Sequence, residues 1–228
     1  MNQLPLDVRL KQSATFDTFF AADNNEAVHA LKGALCGDGP QRIHLWGSAS
    51  SGKTHLLQAA CHLADSRGES AQYVDLDLWA QHDPQVLGAL DQMDCLCLDN
   101  IECIGGRENW EQAVFHLADR MKLAGRSLLV SAGSRPDACG LVMPELVSRL
   151  GNGLVLEIRP LSDPEKVRAL ALLARQRGLD LPQKVAEYLV QRRGGDPARL
   201  FALLDDLDRS SLAVKRKISL KMAKDLAD

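Results

Sequence analysis

Between residue 16 and about residue 160, short apolar runs alternate with amphipathic stretches along the chain. Ile43-His-Leu-Trp46, Ala71-Gln-Tyr-Val-Asp75, Cys95-Leu-Cys-Leu98, Ser127-Leu-Leu-Val-Ser131 and Leu154-Val-Leu-Glu-Ile158 read as short strands. The stretches between them carry helical spacing. Leu56, Leu57, Ala60, Leu63 and Ala64 share one face, and Trp110, Val114, Leu117, Ala118 and Met121 share another. Shorter helical pieces are predicted around 85–91 and 144–150. Alternation of this kind predicts an α/β domain, a five-stranded parallel sheet with helices on both faces, over 16–160. Residues 1–15 are polar and aperiodic, which predicts a mobile tail.

Pro160 marks a change of style, and 161–228 reads as wholly helical. Ser162-Asp-Pro-Glu165 has the form of a capping box, and Gly178 is placed to stop that helix. Pro182 opens a second helix. Asp196-Pro197 offers an N-cap and a first-turn proline ahead of Leu200, Leu203, Leu204 and Leu207. A short fourth helix is predicted from Leu220 to Leu226.

Composition narrows the function classes. The 228 residues carry a net charge of −3, so no whole-chain field draws nucleic acid. The densest basic run, Lys215-Arg-Lys217, reads as a solvated link. No apolar run approaches a membrane span of about 20 residues, and no secretory apolar segment opens the sequence. Six cysteines are scattered without a C-x-x-C pair, and Cys95 and Cys97 alternate inside an apolar run, where they act as small hydrophobes. The expectation is a soluble cytoplasmic protein with no membrane partner.

The chemistry is concentrated after the first strand. Gly47-Ser48-Ala49-Ser50-Ser51-Gly52-Lys53-Thr54 fits G-x-x-x-x-G-K-[ST], with a strand before it and a helix beginning at His55, and these eight residues with His55 are the expected nucleotide contacts. Strand, glycine loop and helix surround a phosphate with backbone N–H groups and a helix N-terminus. Lys53 brings a point charge to the β- and γ-phosphates, and the Thr54 hydroxyl ligates Mg²⁺. The run Cys95–Leu98 ends in Asp99, an apolar strand closing on a carboxylate as in a Walker B segment, which makes Asp99 the second Mg²⁺ ligand. The next residue is Asn100, whose amide orients water but cannot take its proton, so slow intrinsic hydrolysis is expected. Glu102 is the nearest substitute base and falls beyond the strand end.

These segments resemble a known family. The alternation, the phosphate loop continuing as His55-Leu-Leu-Gln-Ala-Ala60, and Leu98-Asp-Asn-Ile-Glu102 are similar to the AAA+ module of the bacterial replication initiator DnaA. Ser127–Ser131, Glu145-Leu-Val-Ser-Arg-Leu150 and the helical lid extend the resemblance over 14–228. Asp99–Ile104, Trp110–Phe115 and Arg159-Pro-Leu-Ser-Asp163 resemble in particular the Hda family, regulatory inactivators of DnaA. DnaA continues into a helix-turn-helix domain that reads DNA, whereas this sequence ends with its lid, so the resemblance implies a regulator without direct sequence-specific DNA binding.

The resemblance implies roles residue by residue. Ser131 takes the sensor 1 place, the alternative being a serine that closes a strand. Arg149 takes the place of the arginine finger, reaching a neighbouring subunit's nucleotide; the residue alone reads as a solvated charge at a helix end. The sensor 2 arginine is expected two residues before Leu200, where Ala198 stands; Arg199 is one place later, so either the helix turns Arg199 inward or that contact is lacking. Gln3-Leu4-Pro5-Leu6 resembles the peptide by which replication proteins dock on the DNA polymerase sliding clamp (its β subunit), with Gln3, Leu4 and Leu6 as anchors and Asp7 a departure from the pattern.

The implied function is regulation of replication initiation: ADP or ATP is bound with Mg²⁺, the protein docks on the clamp, and Arg149 supplied in trans stimulates ATP hydrolysis by DnaA. The alternative is an autonomous AAA+ ATPase of helicase-loader type. Whether copies of the chain associate is open.

Overall fold

The computed structural model describes residues 10–193, 199–204, 206–207 and 219–227. The chain divides into two compact units, Met1–Arg159 and Pro160–Asp228. Among the described residues no helix is long and apolar enough to cross a membrane.

The first unit runs α1 (Asn25–Cys36), β1 (Arg42–Trp46), α2 (Lys53–Ser66), β2 (Ala71–Asp75), a one-turn α3 (Leu76–Trp79), β3 (Cys95–Asp99), α4 (Glu108–Leu123), β4 (Ser127–Ala132), α5 (Pro144–Gly151) and β5 (Leu154–Glu157). The five strands form one sheet in the order β2-β3-β4-β1-β5, every pair parallel. Because side chains alternate along a strand, each sheet face collects one parity. Leu96, Leu98, Leu128 and Val130 pack with Trp110, Val114 and Leu117 of α4 and Leu146 of α5. Cys95, Cys97, Leu129, Ile43 and Leu45 pack with Leu56, Leu57 and Ala60 of α2 and Leu31 of α1.

Two expectations are corrected, and one helix is added. The helix α1 went unread, although Ala27, Ala30, Leu31, Ala34 and Leu35 lie on its buried face at helical spacing. The helical piece around 85–91 is two separate 3-10 turns, Pro84–Leu87 and Leu90–Gln92, parted by Gly88 and Ala89, because Asp83 and Pro84 start a turn that no apolar period continues. Residues 10–15 are not tail-like. Lys11 N donates to Gln58 Oε1 at 3.2 Å, its carbonyl meets His62 Nε2 at 3.0 Å, and Ala14 is buried, so this stretch lies along α2. Polar backbone groups, with Leu10 and Ala14 beside them, fasten it there, and hydrophobic period is blind to backbone contacts. Residues 1–9 lie outside the described set.

The second unit contains α6 (Asp163–Gln176), α7 (Gln183–Arg193), α8 over 199–207 (residue 205 aside) and α9 (Leu220–Ala227). The capping box forms: Glu165 Oε2 accepts from Ser162 N at 2.8 Å, with the reciprocal bond present. Gly178, at φ +73°, turns the chain out of α6 in the left-handed region. Leu170, Leu173, Leu189, Leu200, Leu204 and Ala223 make its core. Asp196 and Pro197 lie outside the described residues.

One contact fixes the entrance to α5. The fully buried carboxylate of Glu111, on α4, accepts from Gly106 N at 2.8 Å, Val142 N at 3.0 Å and Met143 N at 2.7 Å. Replacing it strands three backbone donors and empties a fully buried site. Glu111→Ala is expected to lower unfolding stability by about 3 kcal/mol in urea titrations, with Glu111→Gln losing less. A loss below about 1 kcal/mol would show that this loop is held otherwise.

Candidate functional site

The glycine loop is forced by its neighbours. The Trp46 carbonyl accepts from Ile158 N at 2.6 Å, so β1 ends clamped against the segment after β5. A Cβ on Gly47 would sit 2.3 Å from the Ile158 carbonyl oxygen, which excludes every other residue there. Gly52, at φ +105°, lies under the Phe19 ring, 2.8 Å from where a Cβ would stand. Ser50 also takes a positive φ of 60°. Ser48, Ala49 and Ser50 are exposed, and α2 begins at Lys53.

Inside this loop Lys53 is only 8% exposed. Its Nζ donates to Gly47 O at 2.7 Å and Ser48 O at 2.9 Å. Burial pushes its pKa down, and the Asp99 and Glu102 carboxylates push partly back. The Ser51 hydroxyl is buried with no protein partner. A buried ammonium, an orphaned hydroxyl and the start of a 14-residue helix suit a polyphosphate.

Asp99, 1% exposed at the end of β3, gathers the polar groups around it. Its Oδ2 accepts from Thr54 Oγ1 at 2.6 Å and from the Tyr73 hydroxyl at 2.7 Å, and its Oδ1 accepts from Ser131 Oγ. The Thr54–Asp99 pair has the hydroxyl and carboxylate chemistry that Mg²⁺ takes beside a nucleotide. Ser131, fully buried at the end of β4, also accepts from Asn100 N at 3.1 Å, so it touches both the carboxylate and the position after it. Asn100 adopts φ 60°, ψ 53°, tolerable for asparagine, and its Nδ2 donates to Asp75 Oδ1 at 3.1 Å. Glu102 spends Oε1 on Gly133 N at 2.9 Å.

His55 makes side-chain contacts outside the loop. The His55 ring, with the sequence-based role of nucleotide contact, meets Thr15 O at 2.9 Å through Nε2 and stacks tilted on Phe19 at 5.4 Å. It therefore anchors the 15–19 segment over α2, and burial lowers its pKa. Gln3, Leu4 and Leu6 lie outside the described residues; Arg199 is exposed at the start of α8.

Arg149 lies on α5, over the sheet face opposite α2. Its Nη2 pairs with Asp119 Oδ1 at 2.5 Å, and its Cζ stands 5.7 Å from the Phe115 ring centroid. The side chain keeps 24% exposure. It lines an open cavity of about 450 Å³ with Phe115, Pro144, Glu145, Ser148 and Asn152. Within its own chain the guanidinium is thus held on its own α4, with one side toward solvent.

Tyr73 and Asp75 were missed by sequence reasoning. Each sits on β2, one strand from Asp99 and in register with Cys97 and Asp99 respectively, and only the strand order reveals that neighbourhood. Burial and the Asp99 charge raise the Tyr73 hydroxyl above its ordinary value of about 10. A raised acid contributes stability that is complete below about pH 10 and is lost as pH rises beyond it. Tyr73→Phe is expected to cost about 2 kcal/mol at neutral pH and to flatten that alkaline loss in denaturant titrations. Parallel pH profiles for the two proteins would remove Tyr73 from the Asp99 cluster.

Sequence models of two families match the chain. The one described as the bacterial DnaA ATPase domain covers residues 10–157, and the one described as the Hda lid domain covers 163–226. Among solved structures, the chain is similar to domain III of the Thermotoga maritima replication initiation protein DnaA (TM-score 0.78, 21% identity, 96% of this chain and 97% of that one). It is also similar to AMPPCP-bound DnaA from Aquifex aeolicus (TM-score 0.71, 25% identity, 85% of this chain and 64% of that one). The Thermotoga maritima RuvB Holliday junction branch migration motor shares the fold (TM-score 0.69, 17% identity, 93% and 70%).

Proposed function

The chain belongs to the bacterial DnaA ATPase-domain family as an Hda- and DnaA-related AAA+ protein, and from that premise we propose that it regulates replication initiation by lending Arg149 to the nucleotide site of DnaA. The observation that carries this reading is the placement of Arg149 over the sheet face opposite α2, beside an open cavity. An arginine there has no short route to its own glycine loop. A planar, permanently charged fork suits the equatorial oxygens of a transferring phosphoryl group on another molecule.

In this reading an adenine nucleotide is held by residues 47–54, in keeping with the AMPPCP-bound state of Aquifex aeolicus DnaA. Lys53 turns its ammonium from the loop carbonyls to the phosphates, and backbone N–H groups of the loop meet the same oxygens. Thr54 and Asp99 hold Mg²⁺, which when bound neutralises charge on the phosphate oxygens. Ser131 senses the outer phosphate through its contact with Asn100 and Asp99. The chain's own hydrolysis is slow, because Asn100 is an amide turned to Asp75 and Glu102 is bonded to Gly133 N. The nucleotide then works mainly as a structural ligand. Docking on the sliding clamp through Gln3, Leu4 and Leu6 brings the protein to replicating DNA.

Arg149→Ala is expected to lower stimulation of DnaA's ATPase by about 1,000-fold or to abolish it, while nucleotide affinity by titration calorimetry stays as in the unaltered protein. Undiminished stimulation removes the finger. Hydrolysis by the isolated protein should stay well under about 1 per second; faster DNA-stimulated turnover would favour an autonomous ATPase instead. Gln3→Ala with Leu4→Ala should abolish clamp binding in surface-plasmon measurements without moving the melting temperature, and retained clamp affinity would overturn the docking assignment.

A further inference from the structure

Three nitrogen atoms in the α5 side of the sheet are buried without a protein partner: Arg42 Nη1, His44 Nδ1 and Arg149 Nε. They belong to three residues lining one small cavity of about 10 Å³, whose other walls include Leu128, Val130 and Leu150. The juxtaposition follows from parity. Arg42 and His44 are two apart on β1, and so share the face on which Leu128 and Val130, their register partners on β4, also lie. Helix α5 crosses that face and carries Arg149. Orphaned buried polar atoms are costly when nothing meets them, so three on residues that line one cavity call for an occupant.

We propose that this cavity is a binding site for one water molecule, bridging Arg42 Nη1, His44 Nδ1 and Arg149 Nε, and that Arg42 and His44 are thereby positioning residues for the Arg149 guanidinium. The volume is that of about one water. The chemistry selects water as well. His44 Nε2 lies 3.2 Å from the Ser134 carbonyl, which can only accept, so Nε2 carries the ring proton and Nδ1 presents a lone pair. Both guanidinium nitrogens are donors. The site therefore needs a ligand that accepts twice and donates once. Chloride offers no proton to Nδ1, and an ammonium ion accepts nothing from arginine. His44 is 1% exposed, and burial holds its pKa below the ordinary value, which keeps the ring neutral at neutral pH.

The consequence deepens the finger reading and rests on it. Asp119 holds Nη2, Phe115 supports the plane, and the bridged Nε removes rotation about the remaining axis. A guanidinium fixed at two atoms meets a phosphoryl group with less order left to impose.

The test has two independent arms. A crystal structure of the unaltered protein at high resolution should show a single oxygen within hydrogen-bond distance of all three nitrogens; density for an anion, or a cavity closed by side-chain movement, overturns the site. In solution, the Arg149 Nε–H resonance, assigned by its loss in Arg149→Ala, should exchange with solvent about tenfold faster in His44→Leu than in the unaltered protein. His44→Leu should also lower stimulation of DnaA's ATPase about tenfold at unchanged nucleotide affinity, and His44→Gln, which returns an acceptor, should recover part of both. Identical Nε–H exchange in His44→Leu and the unaltered protein overturns the positioning role. Should Arg149→Ala leave stimulation intact, the finger reading fails, while the density and the exchange still decide the water site.

Discussion

A buried carboxylate cannot stand alone in an apolar sheet, and Asp99 organises the glycine-loop side of this protein around that fact. Unpaired, an ionised group at 1% exposure would be costly enough to neutralise itself or distort the strand. Three hydroxyls answer it, from α2, β2 and β4, while the carboxylate itself ends β3. One charge thereby couples the helix that follows the glycine loop to three adjacent strands. The same charge, with Glu102, holds the Lys53 ammonium against its burial. The polar site is therefore assembled before any ligand arrives, and what a polyphosphate must rearrange is the lysine and the threonine hydroxyl.

The two faces of the sheet then divide the labour. Odd positions of β1, Ile43 and Leu45, face α2 and α1 and support the glycine loop. Even positions, Arg42 and His44, face the helix that bears Arg149. A five-residue strand thus serves both sides, and its alternation keeps a cation-rich cluster away from the glycine loop. The Glu111 carboxylate completes the second side by holding the turn into α5. In the proposed reading, these two sides belong to two different nucleotides, one bound by the chain and one bound by its partner.

The fold was largely legible, because strands buried on both faces and helices with one apolar stripe leave period in the sequence. The phosphate loop and Asp99 were legible for a different reason: their residue types are dictated by chemistry and by positive φ, as at Gly52. What escaped has a common cause. Tyr73, Asp75, His44 and Glu111 act through neighbours distant in sequence, and an apolar period says nothing of strand order. The 10–15 stretch escaped because its backbone carbonyls and amides, at Lys11 and Thr15, make the contacts. Helix α1 was the exception, since its apolar spacing was present in the sequence and went unread.

Asn100 joins these threads. An acid there would sit beside Asp75, whose Oδ1 lies 3.1 Å from the Asn100 amide nitrogen, and Asp99 is the preceding residue. Three carboxylates so close would repel one another. The amide instead donates to Asp75, adopts the left-handed conformation that asparagine tolerates, and offers its backbone N–H to Ser131. A general base at this position would therefore require rebuilding β2 as well as changing one residue. In the proposed reading the local structure holds a nucleotide steadily, which is compatible with function because the bond to be broken lies in another protein.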